Sequence, residues 1–322
     1  MTDNEYIYAV ARIRTKEMSL FDRQTLEQLL TCRTYEDCLK LLAEKGWGEG
    51  SDSSDSDILA AERKKTWDLM RELVDDMSVF DVFLYEKDYH NLKAAIKQAL
   101  IPEIVPAIFT EEGTVPVSVI REAVNEKKFD LLPERMRACA EEGYEIQMQG
   151  RDSQMCDVVI DRAALDAIYG AGKASKTELF SDYAELKVAQ ADIQIAVRGA
   201  RLKKNKSFYE KALAVCDTLD CDRLGDAALA GTEAVCEYLE STAYSDAVSA
   251  IKTSGSAFEC WCDNRMMEKI QREKYHSFTV APLAAYVLAR ENEIKSVRII
   301  LSGKRNQLPE EVVRERLREM YV

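Results

Sequence analysis

The chain has 322 residues, with 57 acidic and 44 basic side chains and a formal charge of −13. At 47% hydrophobic and 31% charged, it is too apolar for a disordered chain and has the make-up of a folded protein. The acidity argues against a nucleic-acid partner, because negative surface repels phosphate unless a strong basic patch overrides the mean.

Read in chain order, the sequence predicts helices almost throughout, and the length suits two or three domains. The start, Met1-Thr2-Asp3-Asn4-Glu5, puts two acids where a secretory leader would carry cations, so no signal segment is expected. Gly46 to Asp57 is rich in glycine, serine and aspartate and reads as an exposed loop, with Asp57 placed to cap a helix from Ile58. Its acids lack the glycine and terminal glutamate of an EF-hand loop, which favours a solvated loop over a cation site. Asp75 and Asp76 begin a magnesium-binding DDxxD pattern, but Val79 stands where the last aspartate belongs. Pro102, Pro106, Pro116 and Pro133 crowd one region, and none occurs from Glu134 to Ala281. An interior proline costs a helix ~3 kcal/mol, so this long proline-free stretch favours helices.

The clearest strand candidate, Asp157-Val158-Val159-Ile160-Asp161, is short and runs on into a helical pattern. Gly170-Ala171-Gly172-Lys173-Ala174 resembles the tail of a nucleotide loop. Ala167 and Ala174 stand where a Walker A loop needs glycine and a hydroxyl, so a helix-to-helix turn is the better reading. From Thr177 to about Lys204, apolar residues at three-or-four spacing predict a helix covered on more than one side. The densest basic cluster, Arg201-Leu202-Lys203-Lys204-Asn205-Lys206, falls at its C-terminal end, where cations suit the helix dipole. Pro282 predicts a helix start, running to about Leu301 and closed by Gly303. Pro309, Glu310 and Glu311 suit the first turn of a last helix, with Val312, Val313, Leu317, Met320 and Tyr321 on its apolar face. The fold class expected is all-α.

Chemistry-bearing constellations are sparse. The nine cysteines include no CxxC pair, and Cys260-Trp261-Cys262 has no second pair to complete a zinc site, so free buried thiols in a reducing compartment are expected. The two histidines, His90 and His276, lie in no nucleophile setting and read as structural or surface residues. No catalytic, cofactor-binding or metal-binding residue is assigned, and no cofactor is expected. The longest apolar run near the C-terminus, Ala281 to Ala289, includes a proline and falls short of the ~20 residues a membrane-spanning helix needs. The expected place is therefore the cytoplasm, or a membrane reached only through a partner.

Repeats are more informative. Asn91-Leu92-Lys93-Ala94-Ala95-Ile96-Lys97, Asp192-Ile193-Gln194-Ile195-Ala196-Val197-Arg198 and Glu293-Ile294-Lys295-Ser296-Val297-Arg298-Ile299 follow one another at equal spacings of 101 residues. A second, less regular set puts an aromatic before an acid at a helix start: Thr34-Tyr35-Glu36-Asp37, Lys128-Phe129-Asp130 and Ala243-Tyr244-Ser245-Asp246. The spacing favours three related helical lobes of ordinary domain size, over 1–105, 106–208 and 209–322.

Several segments carry a family likeness. Tyr8-Ala9-Val10-Ala11-Arg12-Ile13-Arg14-Thr15-Lys16-Glu17 resembles the start of the C subunit of V-type and archaeal A-type ATPases and ATP synthases, known as the d subunit in vacuolar enzymes. Asp88-Tyr89-His90-Asn91-Leu92-Lys93 is similar to that family's D-x-x-N-[LI]-K segment. Pro282-Leu283-Ala284-Ala285-Tyr286, Glu291 to Ile300, Gly303-Lys304 and Arg316 to Val322 resemble its C-terminal part. The middle lobe departs, with Asp192 and Gln194 in place of Asn and Lys.

The resemblance implies a funnel of three similar helical lobes about a pseudo-threefold axis, without nucleotide or catalysis of its own. One copy would sit on the membrane rotor ring of proteolipid subunits, at the cytoplasmic face, and accept the foot of the central stalk, formed by the D and F subunits. Partner contacts are then expected at Lys93, Gln194, Arg201 and Lys295, with Arg12 and Arg298 divided between lobe packing and stalk binding. The competing classes are a general helical scaffold and an all-α metal-dependent enzyme.

Overall fold

The computed structural model describes residues 6–48, 54–100, 108–150 and 152–322. Among them the regular structure is helical, with no strand. The helices recur in sets of four, two shorter members followed by two longer ones. The first set is α2 (Arg23–Thr31), α3 (Tyr35–Glu44), α4 (Asp55–Leu73) and α5 (Tyr85–Gln98), preceded by α1 (Ile7–Glu17). The second is α6 (Val117–Glu126), α7 (Glu134–Glu145), α8 (Ser153–Ala174) and α9 (Glu178–Arg201), followed by the short α10 (Lys206–Ala212). The third is α11 (Cys221–Ala230), α12 (Thr232–Glu240), α14 (Gly255–Gln271) and α15 (Ala281–Arg305). The short α13 (Val248–Thr253) precedes α14, and α16 (Glu310–Arg314) follows the set.

The third helix of every set starts with the same device. Ser54, Asp152 and Ser254 each accept the backbone N–H three residues on, from Asp57, Met155 and Ala257. Ser54, not Asp57, is thus the N-cap of α4. Asp57 takes the third helical position and returns a bond to the Ser54 N–H, closing a capping box that starts the helix before Ile58. Residues 49–53 of the acidic loop lie outside the described residues. The aromatic–acid motifs all mark helix starts. Thr34 caps α3, Phe129 opens a 3-10 turn, and Tyr244 immediately precedes another.

The chain divides into two compact units, Met1–Met77 with Ser249–Val322, and Ser78–Val248. In the second unit α5 packs on α6, α7 and α8. The core joins Tyr89, Leu92 and Ile96 to Ile120 and Val124, Met136 and Ala140, and Cys156 and Ile160. In the first unit α15 packs in the same way on α2, α3 and α4. Ile294, Val297 and Leu301 meet Leu26, Leu29 and Leu30, Cys38 and Leu42, and Ile58 and Leu59. The long fourth helix of a set is therefore the floor for helices that open a set.

Three expectations about glycines and ends change. Gly170 and Gly172 lie inside α8, and the turn falls at Ser175 to Thr177. A Cβ on Gly172 would sit 2.3 Å from the Ala184 Cβ and 2.8 Å from the Phe180 carbonyl oxygen, so the bare backbone lets α8 and α9 approach. Gly303 is likewise helical, and its missing Cβ leaves room for Val313, which a Cβ would meet at 2.5 Å. Gln307 instead holds the left-handed backbone after α15, as Lys203 does after α9. In each case the next N–H returns to the glycine carbonyl, Leu308 to Gly303 at 2.9 Å and Lys204 to Gly199 at 3.0 Å. The terminal helix is only α16. Beyond it, the Met320 carbonyl accepts from Gln271 and the Glu319 carbonyl from Asn292, so the buried Met320 and Tyr321 are held outside any helix.

Gly172→Ala tests the close approach. Alanine gains ~1 kcal/mol in helix propensity, but the contact with backbone cannot relax as a side chain would, and overpacking costs roughly 1–3 kcal/mol. The expected outcome is a net loss, read as a lower urea midpoint at unchanged slope. An unchanged or higher midpoint would remove the packing argument.

Candidate functional site

The positions that align the three repeats, Asn91 on α5, Asp192 on α9 and Glu293 on α15, are all fully buried. A lone polar side chain in a helical core costs stability unless it is bonded, and each of these holds a backbone amide of a connecting segment. Asn91 Oδ1 accepts the Thr110 N–H at 2.9 Å, and its Nδ2 donates to the Thr110 carbonyl at 2.8 Å. Asp192 Oδ1 accepts the Ala214 N–H at 3.0 Å. Glu293 Oε1 accepts the Phe21 N–H at 3.1 Å. The same position thus pins an incoming loop to the long helix in every repeat.

Around each pin the electrostatics differ. On α5, the buried Asp88 one turn earlier accepts the N–H groups of Thr114 and Val115 at 2.7 and 3.0 Å, and its Oδ2 meets Arg135 at 2.5 Å. A Cβ on Gly113 would fall 2.4 Å from Asp88 Oδ1, so glycine lets this loop reach the carboxylate. On α15 that place belongs to Arg290, which binds Glu293 at 2.8 Å and Glu62 of α4 at 2.7 Å beneath the Trp47 ring. Burial raises the Glu293 carboxyl to about 6, against the pull of Arg290.

Asp192 has no such partner. Burial raises its carboxyl to about 8; the Ala214 N–H and Arg162 oppose this and Asp166 adds to it. At neutral pH it is therefore protonated, a near-isostere of the amide at Asn91, and its Oδ2 has no hydrogen-bond partner among the described residues. Glu185, two turns before it, accepts from the Asp217 and Thr218 N–H groups at 3.2 and 2.9 Å and holds the same loop. Asp88 stands in the D-x-x-N-[LI]-K segment without a role assigned to it, and Glu185 and Arg290 were not singled out in the sequence. The signal was there: each lies at helical spacing on the face of its pin.

Of the residues expected to contact partners, Lys93, Gln194 and Lys295 stand beside the pins, half-exposed. Lys93 bonds Asp161 of α8 at 2.5 Å, and Lys295 bonds Asp263 of α14, whose Oδ2 also accepts from Arg318 at 2.8 Å. Gln194 and Lys93 line one cavity of about 370 Å³ with His90, Asp161 and Arg198. Arg201 is exposed in the last turn of α9 and does not line it. Lys295 belongs to the other compact unit. Arg12 reaches Glu72 at 3.2 Å, and Arg298 is exposed. His90 Nε2 lies 2.9 Å from the Ile108 carbonyl and His276 Nδ1 lies 2.6 Å from Glu273, positions that fix loops. None of the nine cysteines forms a disulfide among the described residues.

Asp192→Asn tests the protonated pin. The folded carboxyl keeps its proton to about pH 8, whereas the unfolded one releases it near pH 4. Between these values the folded state binds the extra proton, so wild-type stability falls as pH rises. The variant lacks this loss. Its advantage in urea unfolding is expected to be near zero at about pH 4 and to grow to a few kcal/mol by about pH 8, at roughly 1.4 kcal/mol for each tenfold change in proton affinity. Parallel pH profiles would show that Asp192 is ionised in the fold.

Comparison with known proteins follows the same length of chain. Residues 9–316 match the family model of the ATP synthase (C/AC39) subunit. The C subunit of the V-type sodium ATPase of Enterococcus hirae is 21% identical over 96% of this chain and 97% of its own. The C subunits of the A-type ATP synthases of Methanocaldococcus jannaschii and Thermococcus kodakarensis are 25% and 21% identical, over 95% and 96% of this chain and 85% and 89% of theirs. With nearly every helix inside the matched span, the chain belongs to the ATP synthase (C/AC39) subunit family, that of the C subunits of V-type and A-type ATPases.

Proposed function

We propose that this protein is the non-catalytic adaptor of the central rotor, joining the stalk of D and F subunits to the membrane proteolipid ring and carrying torque for ATP-coupled proton or sodium transport. The match to the subunit family from residue 9 to residue 316 carries this reading. In it, the three lobes 1–105, 106–208 and 209–322 form a pseudo-threefold funnel at the cytoplasmic face. Lys93, Gln194, Arg201 and Lys295 serve as partner contacts. A single copy suits the task, since one asymmetric body can join partners of different rotational symmetry.

The physical properties of the chain support that role. No helix among the described residues is long and apolar enough to cross a membrane, so contact with a membrane ring would be peripheral. A torque coupling must deform little under load, and close-packed helices have low compressibility. Buried pins at Asn91, Asp192 and Glu293 stiffen it further by tying loops to the long helices. The charge of −13 would orient docking on basic partner surfaces, mainly through encounter rate.

Purification of the tagged chain from detergent-solubilised membranes of its host is the direct test. The D and F stalk subunits and the proteolipid are expected in the eluate, with stalk capture weakening as salt rises past the range where exposed charges are screened. An eluate containing neither stalk nor proteolipid would overturn the adaptor reading. Capture indifferent to salt would remove its electrostatic part.

A further inference from the structure

The thiols of Cys32 and Cys38 both lie at the corner between α2 and α3. Cys32 follows the last residue of α2 in extended backbone, and Cys38 lies one turn into α3. Their Sγ–H groups donate to the carbonyls of Gln28 and Leu29, neighbours in the last turn of α2, each at 3.3 Å. Both thiols therefore point at neighbouring carbonyls of one helix end, and Cys32 lies close enough to raise the Cys38 thiol. Cys32 is partly exposed, while Cys38 is fully buried. Cys139 and Cys156 also influence one another, but both are buried, which leaves a soluble reagent no entry.

We propose that Cys32 and Cys38 are a redox modification site, a dithiol that a low-molecular-weight disulfide such as oxidised glutathione converts into an intramolecular disulfide. The partly exposed Cys32 gives up its proton and attacks one glutathione sulfur. A protein–glutathione S–S bond forms as the glutathione S–S bond breaks, and the departing thiolate takes up a proton. Cys38 then loses its proton and attacks Cys32 Sγ, expelling the second glutathione, which is protonated in turn. Two protein thiols are oxidised by two electrons, and one glutathione disulfide is reduced to two thiols.

The environment orders the two steps. Burial, reinforced by Cys32 and Asp37 and opposed by Lys304 of α15, pushes the Cys38 thiol up to about 12. It is therefore a poor first nucleophile, since the thiolate is the attacking form. It becomes effective only when a mixed disulfide is held against it. An S–S bond of about 2.05 Å would draw the corner together. Cys38 belongs to the core in which α2, α3 and α4 meet α15, so the bond would brace that core.

The test equilibrates the intact, folded chain in glutathione buffers of graded oxidation, alkylates the remaining thiols and digests with trypsin. Cleavage after Arg33 separates the two cysteines onto peptides 24–33 and 34–40. In wild type, these peptides are expected as a cross-linked pair, with a loss of two alkylatable thiols out of nine, reversed by dithiothreitol. Cys38→Ser should trap glutathione on Cys32, and Cys32→Ser should leave Cys38 unmodified in the same buffers. The wild-type digest decides the matter even if a variant fails to fold. Glutathione persisting on Cys32, both cysteines remaining alkylated, or a cross-link that needs urea would each overturn the proposal.

Discussion

Everything in this fold hangs on buried polar side chains of the long helices that seize backbone amides of incoming loops. A helix packs through its apolar stripe, but such a stripe fixes rotation and axial position loosely, because neighbouring ridges are alike. A hydrogen bond to one particular N–H is directional and, once buried, is costly to leave unmade. Asn91, Asp192 and Glu293 supply that bond at the same relative place in three stretches of chain. They fix the register between a long helix and the segment laid across it.

Three chemical solutions to one task show how far sequence divergence can run. The amide at Asn91 is neutral by nature. The acid at Asp192 is neutral because burial keeps its proton on. At Glu293 a buried arginine, itself shared with Glu62, lies against the acid. The departure of Asp192 from the family pattern is thus a change of atom rather than of role, since a protonated carboxyl and a carboxamide have nearly the same shape.

Much of this was legible beforehand. The helical class and the helix expected from Thr177 to about Lys204, found over Glu178–Arg201, followed from apolar periodicity and from where prolines are absent, and the equal spacing of the aligned positions from the repeats. What escaped was set by partners distant in sequence. Nothing in the local string says that Thr110, Ala214 or Phe21 will face the pins, or that Asp88 will collect two amides and a guanidinium. Gly172 and Gly303 were misplaced for the same reason. A glycine that admits a neighbouring side chain looks, in one dimension, like a glycine that ends a helix. Ser54 was passed over because a loop rich in Ser and Asp offers several equivalent caps, and only the backbone geometry chooses among them.

The way α15 completes the core of α2, α3 and α4 sets an order on the birth of the molecule. One compact unit is a single continuous stretch, Ser78–Val248, whereas the other unites the beginning of the chain with its end. During synthesis the continuous stretch has all its parts once it leaves the ribosome. Leu26, Leu30 and Leu42, though made first, have no floor until Ile294 and Val297 emerge. Contacts so far apart along the chain close slowly, because a large loop entropy must be overcome first. The earliest helices of this protein are the last to be sheltered, and for most of translation they are the segment a chaperone would find bare.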